Sequence, residues 1–412
     1  MSMTPAKAAS WLTPKRLRVH GLILALCLWS VYIWNMAAPG LRDRAGNLKG
    51  TDFLHFHTLG SLALAHRGAD LYSMQAQSEL AAGRVPAAAG IRYLPLYPPQ
   101  VSIILAPFAR LSYPCALILW LTLSALLYGL CVYAVWRTCP NLQSYKLTVL
   151  ILALAFPAFW HLLAWGQASA LALACFTLAF FTLRAQREFL AGLALGCLIF
   201  KPQLGVASAI IFLATRQWKV IAGALLSASA QLAAAWIYYG PDPLRAWIQL
   251  LSRVPTLLPL LEPKLYQTHS LRTFWTLLLP WPRLDIALYI LTAILTLALA
   301  ARCWQSTLPL PLRYSALLLA TVLVAPHLTV YDLVILAPAF LLLSDWIIVQ
   351  PDRIRTPHLE LLLYLAFILP LLGPLARWTH LQLTVPVILA ILCVVFQLGR
   401  RDNVEERRFS AA

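Results

Sequence analysis

The chain has 412 residues, of which 61% are hydrophobic and only 11% are charged, with a formal net charge of +17. A soluble globular domain carries about 25% charged residues, so this composition excludes one and predicts a polytopic membrane protein. The basic residues are scattered between apolar runs, which fits loop charges that orient membrane spans and argues against a nucleic-acid partner. The eight cysteines contain no CxxC pair, so neither a disulfide framework nor a zinc site is indicated.

The apolar runs predict the membrane helices in chain order. After a basic N-terminus at 1–19, nine runs approach the length of about 20 residues that a span needs, and the first is read as an uncleaved span. These runs are 20–38, 114–136, 147–164, 167–184, 220–239, 285–304, 330–349, 358–376 and 381–399, with a shorter run at 313–326. Lys201-Pro202-Gln203 interrupts 188–215, which predicts two short helices over 189–200 and 203–215.

The positive-inside rule orients these helices. The clusters that it places in the cytoplasm are Lys15/Arg16/Arg18, Arg184/Arg187, Arg216/Lys219, Arg353/Arg355 and Arg400/Arg401. Once the basic clusters are placed in the cytoplasm, the sequence predicts interfacial or re-entrant helices on the outer side at 97–111 and 271–281. The sequence therefore predicts an all-α polytopic bundle of about 12 membrane helices. Its single transmembrane domain covers 20–399, with outer loops 39–113 and 240–284 and a cytoplasmic tail at 400–412.

This topology gathers the polar side chains on the outer face. Seven of the nine histidines lie there, together with three hairpin tips, at Trp165-Gly166-Gln167, Lys201-Pro202-Gln203 and Ala325-Pro326-His327. The chemistry of the protein is therefore expected on the outer face.

Asp52 stands in the stretch GTDFLHFH, just after the first span. In one interpretation it caps an interfacial helix over 53–65, which His57 and two phenylalanines anchor to the membrane. In the other it is a general base at the lip of an outward-facing cavity and accepts a proton from a sugar hydroxyl. His55 lies about one turn later and would share a face with Asp52, as a substrate-binding residue.

Lys201 lies between two short apolar helices. It is either a lysine that snorkels to the interface or a clamp for the phosphate of a lipid-linked donor. His327, Tyr331 and Asp332 would line an outer cavity, although Asp332 could equally pair with Arg272, Arg283 or Lys201. Weaker candidates, which could simply satisfy loop backbone, are Gln167 and Arg92, and Gln203 is predicted to bind substrate.

Several catalytic signatures are absent from the sequence. There is no HExxH, GxSxG or GxxxxGK[ST] stretch, and His55 and His57 fall on different faces of a helix. No metal site is predicted.

The ordered motifs resemble glycosyltransferase family 87, a family of lipid-phosphosugar-dependent enzymes with the GT-C fold. It includes the polyprenyl-phosphate-mannose-dependent α-1,2-mannosyltransferases. The resembling stretches are Asp52-Phe53, Arg67-Gly68-Ala69-Asp70-Leu71-Tyr72, Tyr97-Pro98-Pro99 with Ala106-Pro107-Phe108, Trp165-Gly166-Gln167, Lys201-Pro202-Gln203, and Ala325-Pro326-His327 with Asp332. They cover about residues 18–340.

The resemblance implies an inverting transfer of a hexose, such as mannose, from a polyprenyl monophosphate to a hydroxyl of a glycolipid or glycan. The reaction would take place on the outer face of a bacterial inner membrane and would need neither a nucleotide sugar nor a metal cofactor. Asp52 would be the general base, Lys201 and Arg92 would hold the donor phosphate, and His327 would be a catalytic-site residue in the wall. The late motif and Thr268-His269-Ser270 depart from the family's usual His-His and Asn-Gln-Ser stretches, so the sugar and the acceptor stay open.

Two other functions are alternatives to a transferase. A transporter or flippase for a lipid-linked substrate would place its charges near the midplane, on broken helices of two related halves. An O-antigen-ligase-like enzyme would have its large polar loop late in the chain. In this sequence the charges gather at one face and the largest outer loop is the first, which favours a glycosyltransferase.

Overall fold

The computed structural model of the protein describes residues 12–261, 264–350 and 357–410. Within these ranges the chain is helical and has no β-strand beyond two isolated bridges. The α-helices are α1 (Pro14–Met36), α2 (Thr51–Leu64), α3 (Met74–Arg84), α4 (Gln100–Ala109), α5 (Tyr113–Arg137), α6 (Lys146–Ala155), α7 (Pro157–Trp165), α8 (Ser169–Arg184), α9 (Glu188–Gly196), α10 (Pro202–Ala214), α11 (Trp218–Tyr239), α12 (Asp242–Ser252), α13 (Val254–Leu261), α14 (Leu271–Leu278), α15 (Pro282–Gln305), α16 (Leu310–Val324), α17 (Ala337–Val349), α18 (Pro357–Ile368), α19 (Ala376–Thr379) and α20 (Thr384–Ser410). Short 3-10 helices cover Gly68–Tyr72, Pro86–Ala88, Pro140–Tyr145, Cys197–Phe200, Leu265–Gln267, Val330–Leu336 and Leu369–Leu375.

Six helical stretches in the described residues are long and apolar enough to cross a membrane. They are Pro14–Met36, Tyr113–Arg137, Trp218–Tyr239, Pro282–Gln305, Val330–Val349 and His358–Thr379. A seventh forms if Pro140–Ala155 and Pro157–Trp165, which meet at 43°, make one bent span. The all-α, multi-pass prediction is confirmed, while the total of about 12 membrane helices stays a prediction.

The predicted interruption at Lys201-Pro202 is present. The 3-10 turn Cys197–Phe200 ends at Lys201, whose φ of −133° and ψ of 70° leave the helical region, and α10 begins at Pro202. Proline suits this first helical position because a backbone N–H there would have no acceptor within the helix. The result is two short helices separated at Lys201, as the sequence predicts, while their arrangement as a hairpin that returns to the same side stays a prediction.

The helices predicted as interfacial at 97–111 and 271–281 are found as α4 and α14, with ten and eight residues. At about 1.5 Å per residue, neither is long enough to cross a bilayer core of about 30 Å. Their placement on the outer side stays a prediction.

The helix predicted over 53–65 is found as α2, but its predicted membrane anchor is wrong. Every residue from Phe53 to Ala63 is buried inside the protein. Phe53 and Phe56 pack on Trp120 of α5, with ring centroids 5.6 and 5.7 Å apart, and α4 packs along α2. α4 and α5 thus cover α2 and give its apolar side chains a protein environment instead of a lipid one.

The basic loops are only partly described. Lys219 and Glu188 form an ion pair at 3.6 Å, which joins the first turns of α11 and α9. Arg353/Arg355 and residues 1–11 of the basic N-terminus lie outside the described residues. The cytoplasmic location of the basic clusters stays a prediction.

Two glycines let the start of α2 approach the turn between α7 and α8. Gly50 and Gly166 both have left-handed backbone conformations, with φ of +65° and +71°. A Cβ atom on Gly166 would lie 2.8 Å from Cβ of Phe53 and 3.5 Å from Cα of Gly50. The indole N–H of Trp120 donates to the Gly166 carbonyl at 2.9 Å and holds the turn in place.

We expect Gly166→Ala to lower the free energy of unfolding by about 1–3 kcal/mol, because alanine is strained at positive φ and would crowd Phe53. Gly129→Ala is the matched control, since Gly129 lies within a helix and has open space around its Cβ position. Thermal unfolding of the two variants in detergent measures the difference. Equal melting temperatures would contradict the close approach of α2 and the turn.

Candidate functional site

Asp52 does not cap α2. The N-cap residue is Gly50, and no side chain caps the helix, so the capping interpretation is wrong. Asp52 lies half-buried in the first turn, and its Oδ2 accepts a hydrogen bond from Nε2 of Gln167 at 2.6 Å. A carboxylate in the first turn of a helix is stabilised by the free N–H groups of that turn.

The side-chain amide of Gln167 is oriented toward Asp52 by its other contacts. Its Oε1 accepts from the backbone N–H of Ala168 at 3.1 Å and from the hydroxyl of Tyr97 at 3.4 Å. With both donors on the oxygen, the NH2 group points to the carboxylate. Gln167, at a tip that the sequence analysis singled out, therefore contacts Asp52 although the two residues are 115 positions apart in the chain.

Burial raises the pKa of Asp52 to about 6. The hydrogen bond from Gln167 and the charge of Lys201 oppose that rise, Asp332 adds to it, and His327 lowers the value slightly. A carboxylate with this pKa is mostly ionised at neutral pH and is still basic enough to accept a proton.

Lys201 and Asp332 form a buried ion pair. Nζ of Lys201 donates to Oδ1 of Asp332 at 2.6 Å and to Oγ of Ser169 at 3.1 Å, and it lies 4.9 Å from the centre of the Tyr331 ring. The hydroxyl of Ser169 donates to the same Oδ1. The two charged side chains are only 6% and 1% exposed, so the snorkelling interpretation of Lys201 is wrong, and of the pairings open to Asp332 the one with Lys201 is present.

The second oxygen of Asp332 fixes the segment that carries it. Oδ2 accepts from the backbone N–H of Thr329 at 3.3 Å and from its hydroxyl at 3.2 Å, as a capping box at the start of the 3-10 helix Val330–Leu336. Capping boxes satisfy backbone donors that a helix start leaves open. Asp332 thus links this helix to the tips that carry Lys201 and Ser169.

His327 is half-buried and lies near both carboxylates. Burial lowers its pKa to about 4, with Lys201 and Arg272 lowering it further and Asp332 and Asp52 opposing. The imidazole is therefore neutral at physiological pH. Arg272 is held beside it, since its Nε donates to the carbonyl of Pro326.

His55 is part of the aromatic packing behind Asp52. Its ring stacks on Tyr93 at 4.9 Å and 8° and meets the edge of Tyr97 at 5.6 Å. It is buried, its Nε2 has no hydrogen-bond partner among the described residues, and burial lowers its pKa to about 4. A substrate-binding role for His55 stays a prediction.

Arg92 and Gln203 are not brought into this network. Arg92 is exposed and Gln203 is half-buried in the first turn of α10. In the part of the chain that the structure describes, neither side chain forms a hydrogen bond or an ion pair. Their predicted roles depend on a substrate.

The structure adds three residues to which the sequence gave no functional role: Ser169, Tyr97 and Arg272. Ser169 follows the tip at Gln167 by two positions, and Tyr97 stands in a motif that was noted only for its resemblance. Arg272 was considered only as a structural partner of Asp332. We call Asp52, Gln167, Ser169, Lys201, His327 and Asp332 the polar cluster. In the described ranges no three His, Cys, Asp or Glu side chains come together as a metal site.

An apolar cavity of about 390 Å³ lies apart from the polar cluster. It is bounded by α1, α6, α17 and α18, and Phe156, Phe340 and Phe367 are among its lining residues. None of the polar cluster lines it, so hydrogen bonds and charge, and not this cavity, locate the candidate site.

The sequence model of glycosyltransferase family 87 matches residues 96–326, which is more than half of the chain. The match contains Tyr97, Gln167, Lys201 and Arg272 and ends immediately before His327. No curated protein and no solved structure matches the chain.

We expect Lys201→Met to lower the free energy of unfolding by about 3–5 kcal/mol, because it leaves the Asp332 carboxylate buried without its cation. Adding Asp332→Asn should recover most of that loss. Lys219→Met is the control and should cost less than about 1 kcal/mol, since the side chains of its pair are 77% and 35% exposed. Thermal unfolding in detergent measures all three. A double variant as unstable as Lys201→Met would contradict a mutual compensation of the two charges.

Proposed function

The chain belongs to glycosyltransferase family 87, and we propose that it transfers a hexose from a polyprenyl-monophosphate donor to an acceptor hydroxyl. The observation that carries this proposal is the half-buried Asp52 carboxylate, with a pKa of about 6, held by Gln167 beside the buried Lys201–Asp332 pair. Membership of a glycosyltransferase family argues against the transporter alternative.

In the proposed reaction Asp52 removes the proton of the acceptor hydroxyl. The acceptor oxygen forms a bond to the anomeric carbon as the bond between that carbon and the phosphate oxygen breaks. The electron pair of the broken bond leaves with polyprenyl monophosphate, and the proton stays on Asp52. Attack on the face opposite the phosphate inverts the anomeric configuration.

The other candidate residues take roles around this step. We assign binding of the donor phosphate to Lys201 and to Arg92, whose side chain is exposed. His327 forms the wall of the catalytic site as a neutral imidazole. Substrate-binding roles fall to the remaining candidates, which are His55, Gln167, Gln203, Tyr331 and Asp332. The chemistry of these groups needs no metal ion, because the leaving phosphate is stabilised by protein cations.

We place the reaction on the outer face of a bacterial inner membrane. The six candidate spans make the protein multi-pass, and the positive-inside rule puts the polar cluster on the outer side. The partners that follow are membrane lipids, the lipid-linked donor and a glycolipid or glycan acceptor, with mannose as the sugar that the family suggests.

Asp52→Asn should lower the rate of sugar transfer by about 10²–10⁴-fold, the usual contribution of a general base, while the donor still binds. The assay follows a labelled polyprenyl-phosphate sugar with purified protein in proteoliposomes. Asp242→Asn is the control, because Asp242 is an exposed aspartate whose side chain is 85% accessible. Transfer that survives unchanged in Asp52→Asn would rule out the proposed base.

The rate of transfer should fall as the pH drops through about 6, because Asp52 then takes up a proton and can no longer act as a base. Gln167→Leu removes a hydrogen bond that lowers this pKa, so it should move the midpoint of the acid limb to higher pH. Rates measured between about pH 5 and 8 give both midpoints. An identical midpoint in wild type and Gln167→Leu would contradict Asp52 as the titrating group.

A further inference from the structure

The apolar cavity that lies apart from the polar cluster has the dimensions of a ligand site. Its volume is about 390 Å³, and pockets for small molecules usually measure about 300–1,000 Å³. Along α17 its lining extends from Ala337 to Ile348, which at about 1.5 Å per residue is a length of roughly 16 Å. Half of a bilayer core of about 30 Å is similar. The cavity is therefore about as long as one leaflet is deep.

The two ends of the cavity differ in polarity. At one end Phe156 meets the edge of Phe340 and stacks on Phe367, with ring centroids 5.7 and 5.6 Å apart. Hydroxyl and carboxyl groups gather toward the other end, where α1, α6 and α18 begin and α17 ends. These lining residues are Thr13, Tyr145, Thr148, Ser344, Glu360 and Tyr364. Such a gradient suits an amphipathic molecule whose tail lies at the phenylalanines.

The polar end of the cavity lies away from the polar cluster. The bent pair of α6 and α7 begins next to Tyr145 at this end and leads to Gln167. The stretch Val330–Val349 begins near Asp332 and passes Ser344 toward its end. Both spans thus carry the polar cluster at one end and the polar part of the cavity at the other. In the predicted topology this second end is cytoplasmic.

This separation decides between two lipids as the occupant. A lipid-linked donor with its phosphate at the polar cluster would have its headgroup at the wrong surface to fill the polar end of the cavity. A phospholipid of the opposite leaflet places its headgroup at that end and its acyl chain along the cavity. The position of the cavity therefore favours the phospholipid.

Cations surround the polar end. Lys15, Arg18 and Lys146 are exposed, and each directly follows a lining residue in the chain. The nearby carboxylates are engaged within the protein: Asp345 accepts from backbone and side-chain N–H groups of the 3-10 helix before α6, and Glu360 has an interaction of its own. Basic pockets between membrane helices on the cytoplasmic side bind anionic headgroups. The charge at this end thus favours an anionic lipid.

We propose that the cavity binds one acyl chain of an anionic phospholipid from the cytoplasmic leaflet, with the phosphate of its headgroup at Lys15, Arg18 and Lys146. The second acyl chain stays in the bilayer. Burial of the first chain provides affinity, and the cations select the headgroup. The site is separate from the polar cluster and does not depend on the proposed reaction.

The test identifies the lipid that stays on the protein. Purified wild type is placed in nanodiscs of equal parts phosphatidylglycerol, which is anionic, and phosphatidylethanolamine, with a trace of a polyprenyl monophosphate. Native mass spectrometry of the protein released from the nanodisc gives the mass of each retained lipid. Wild type should retain one phosphatidylglycerol. Retention of phosphatidylethanolamine or of the polyprenyl monophosphate in its place, or of no lipid, would overturn the proposed occupant.

A bulky side chain in the cavity should abolish this retention. Val149→Trp fills the cavity from α6, and Leu341→Trp fills it from α17. Leu150→Trp is the matched control, because Leu150 is the next residue of α6, is 56% exposed and does not line the cavity. It should retain phosphatidylglycerol as wild type does. Unchanged retention in a cavity-filling variant with a normal melting temperature would overturn the cavity as the site.

The headgroup is tested at exposed side chains, so this arm decides even if neither tryptophan variant folds. Lys15→Gln combined with Lys146→Gln should lower the preference for phosphatidylglycerol over phosphatidylethanolamine by roughly 10- to 30-fold, because two cations near an anionic headgroup are lost. Lys219→Gln is the control, since Lys219 is exposed and neither lines the cavity nor adjoins a lining residue. An unchanged preference in the double variant would overturn the proposed headgroup site.

Discussion

The buried pair of Lys201 and Asp332 is the interaction on which the candidate site depends. A charge removed from water is costly unless a partner and further hydrogen bonds replace the solvent. Here the ammonium has Asp332, Ser169 and the face of Tyr331, and the carboxylate has Thr329 in addition. Satisfying two charges therefore ties together the tip between α9 and α10, the start of α8 and the 3-10 helix before α17.

The Lys201–Asp332 pair also helps to hold Asp52 in position. Because Ser169 follows Gln167 by two positions, the hydrogen bond that anchors Ser169 also steadies the amide that holds Asp52. The Lys201–Asp332 pair and His327 also lie within electrostatic reach of the Asp52 carboxylate.

Much of this arrangement could be predicted from the sequence. Hydropathy gave the helices, the proline at 202 gave the break, and loop charges gathered the three hairpin tips on one side. Asp52 was identified, but the sequence could not decide whether it caps α2, because a capping aspartate and a first-turn aspartate look alike without knowledge of the backbone at Gly50. Local patterns also left open which cation pairs with Asp332, since that choice depends on packing between segments 131 positions apart.

The anchor predicted for α2 failed for a related reason. An amphipathic stretch next to a membrane helix has the same composition whether lipid or protein covers it. What decides between them is the later fold of residues 86–120 over α2, in which Trp120 and α4 supply the cover. The contact of Arg272 beside His327 could not be predicted for the same reason, because the backbone pairing of His269 with Leu328 cannot be read from either segment alone.

The wide spacing of the buried pair also bears on how the protein is made. Lys201 leaves the ribosome 131 residues before Asp332, which at about 5–20 residues per second is roughly 7–25 s. During that interval the ammonium has no carboxylate partner. In the predicted topology, its place between two short helices at the outer face lets it stay near water while the later helices are inserted. The buried ion pair can then form only after Asp332 has been synthesised, so the site assembles late in the synthesis of the chain.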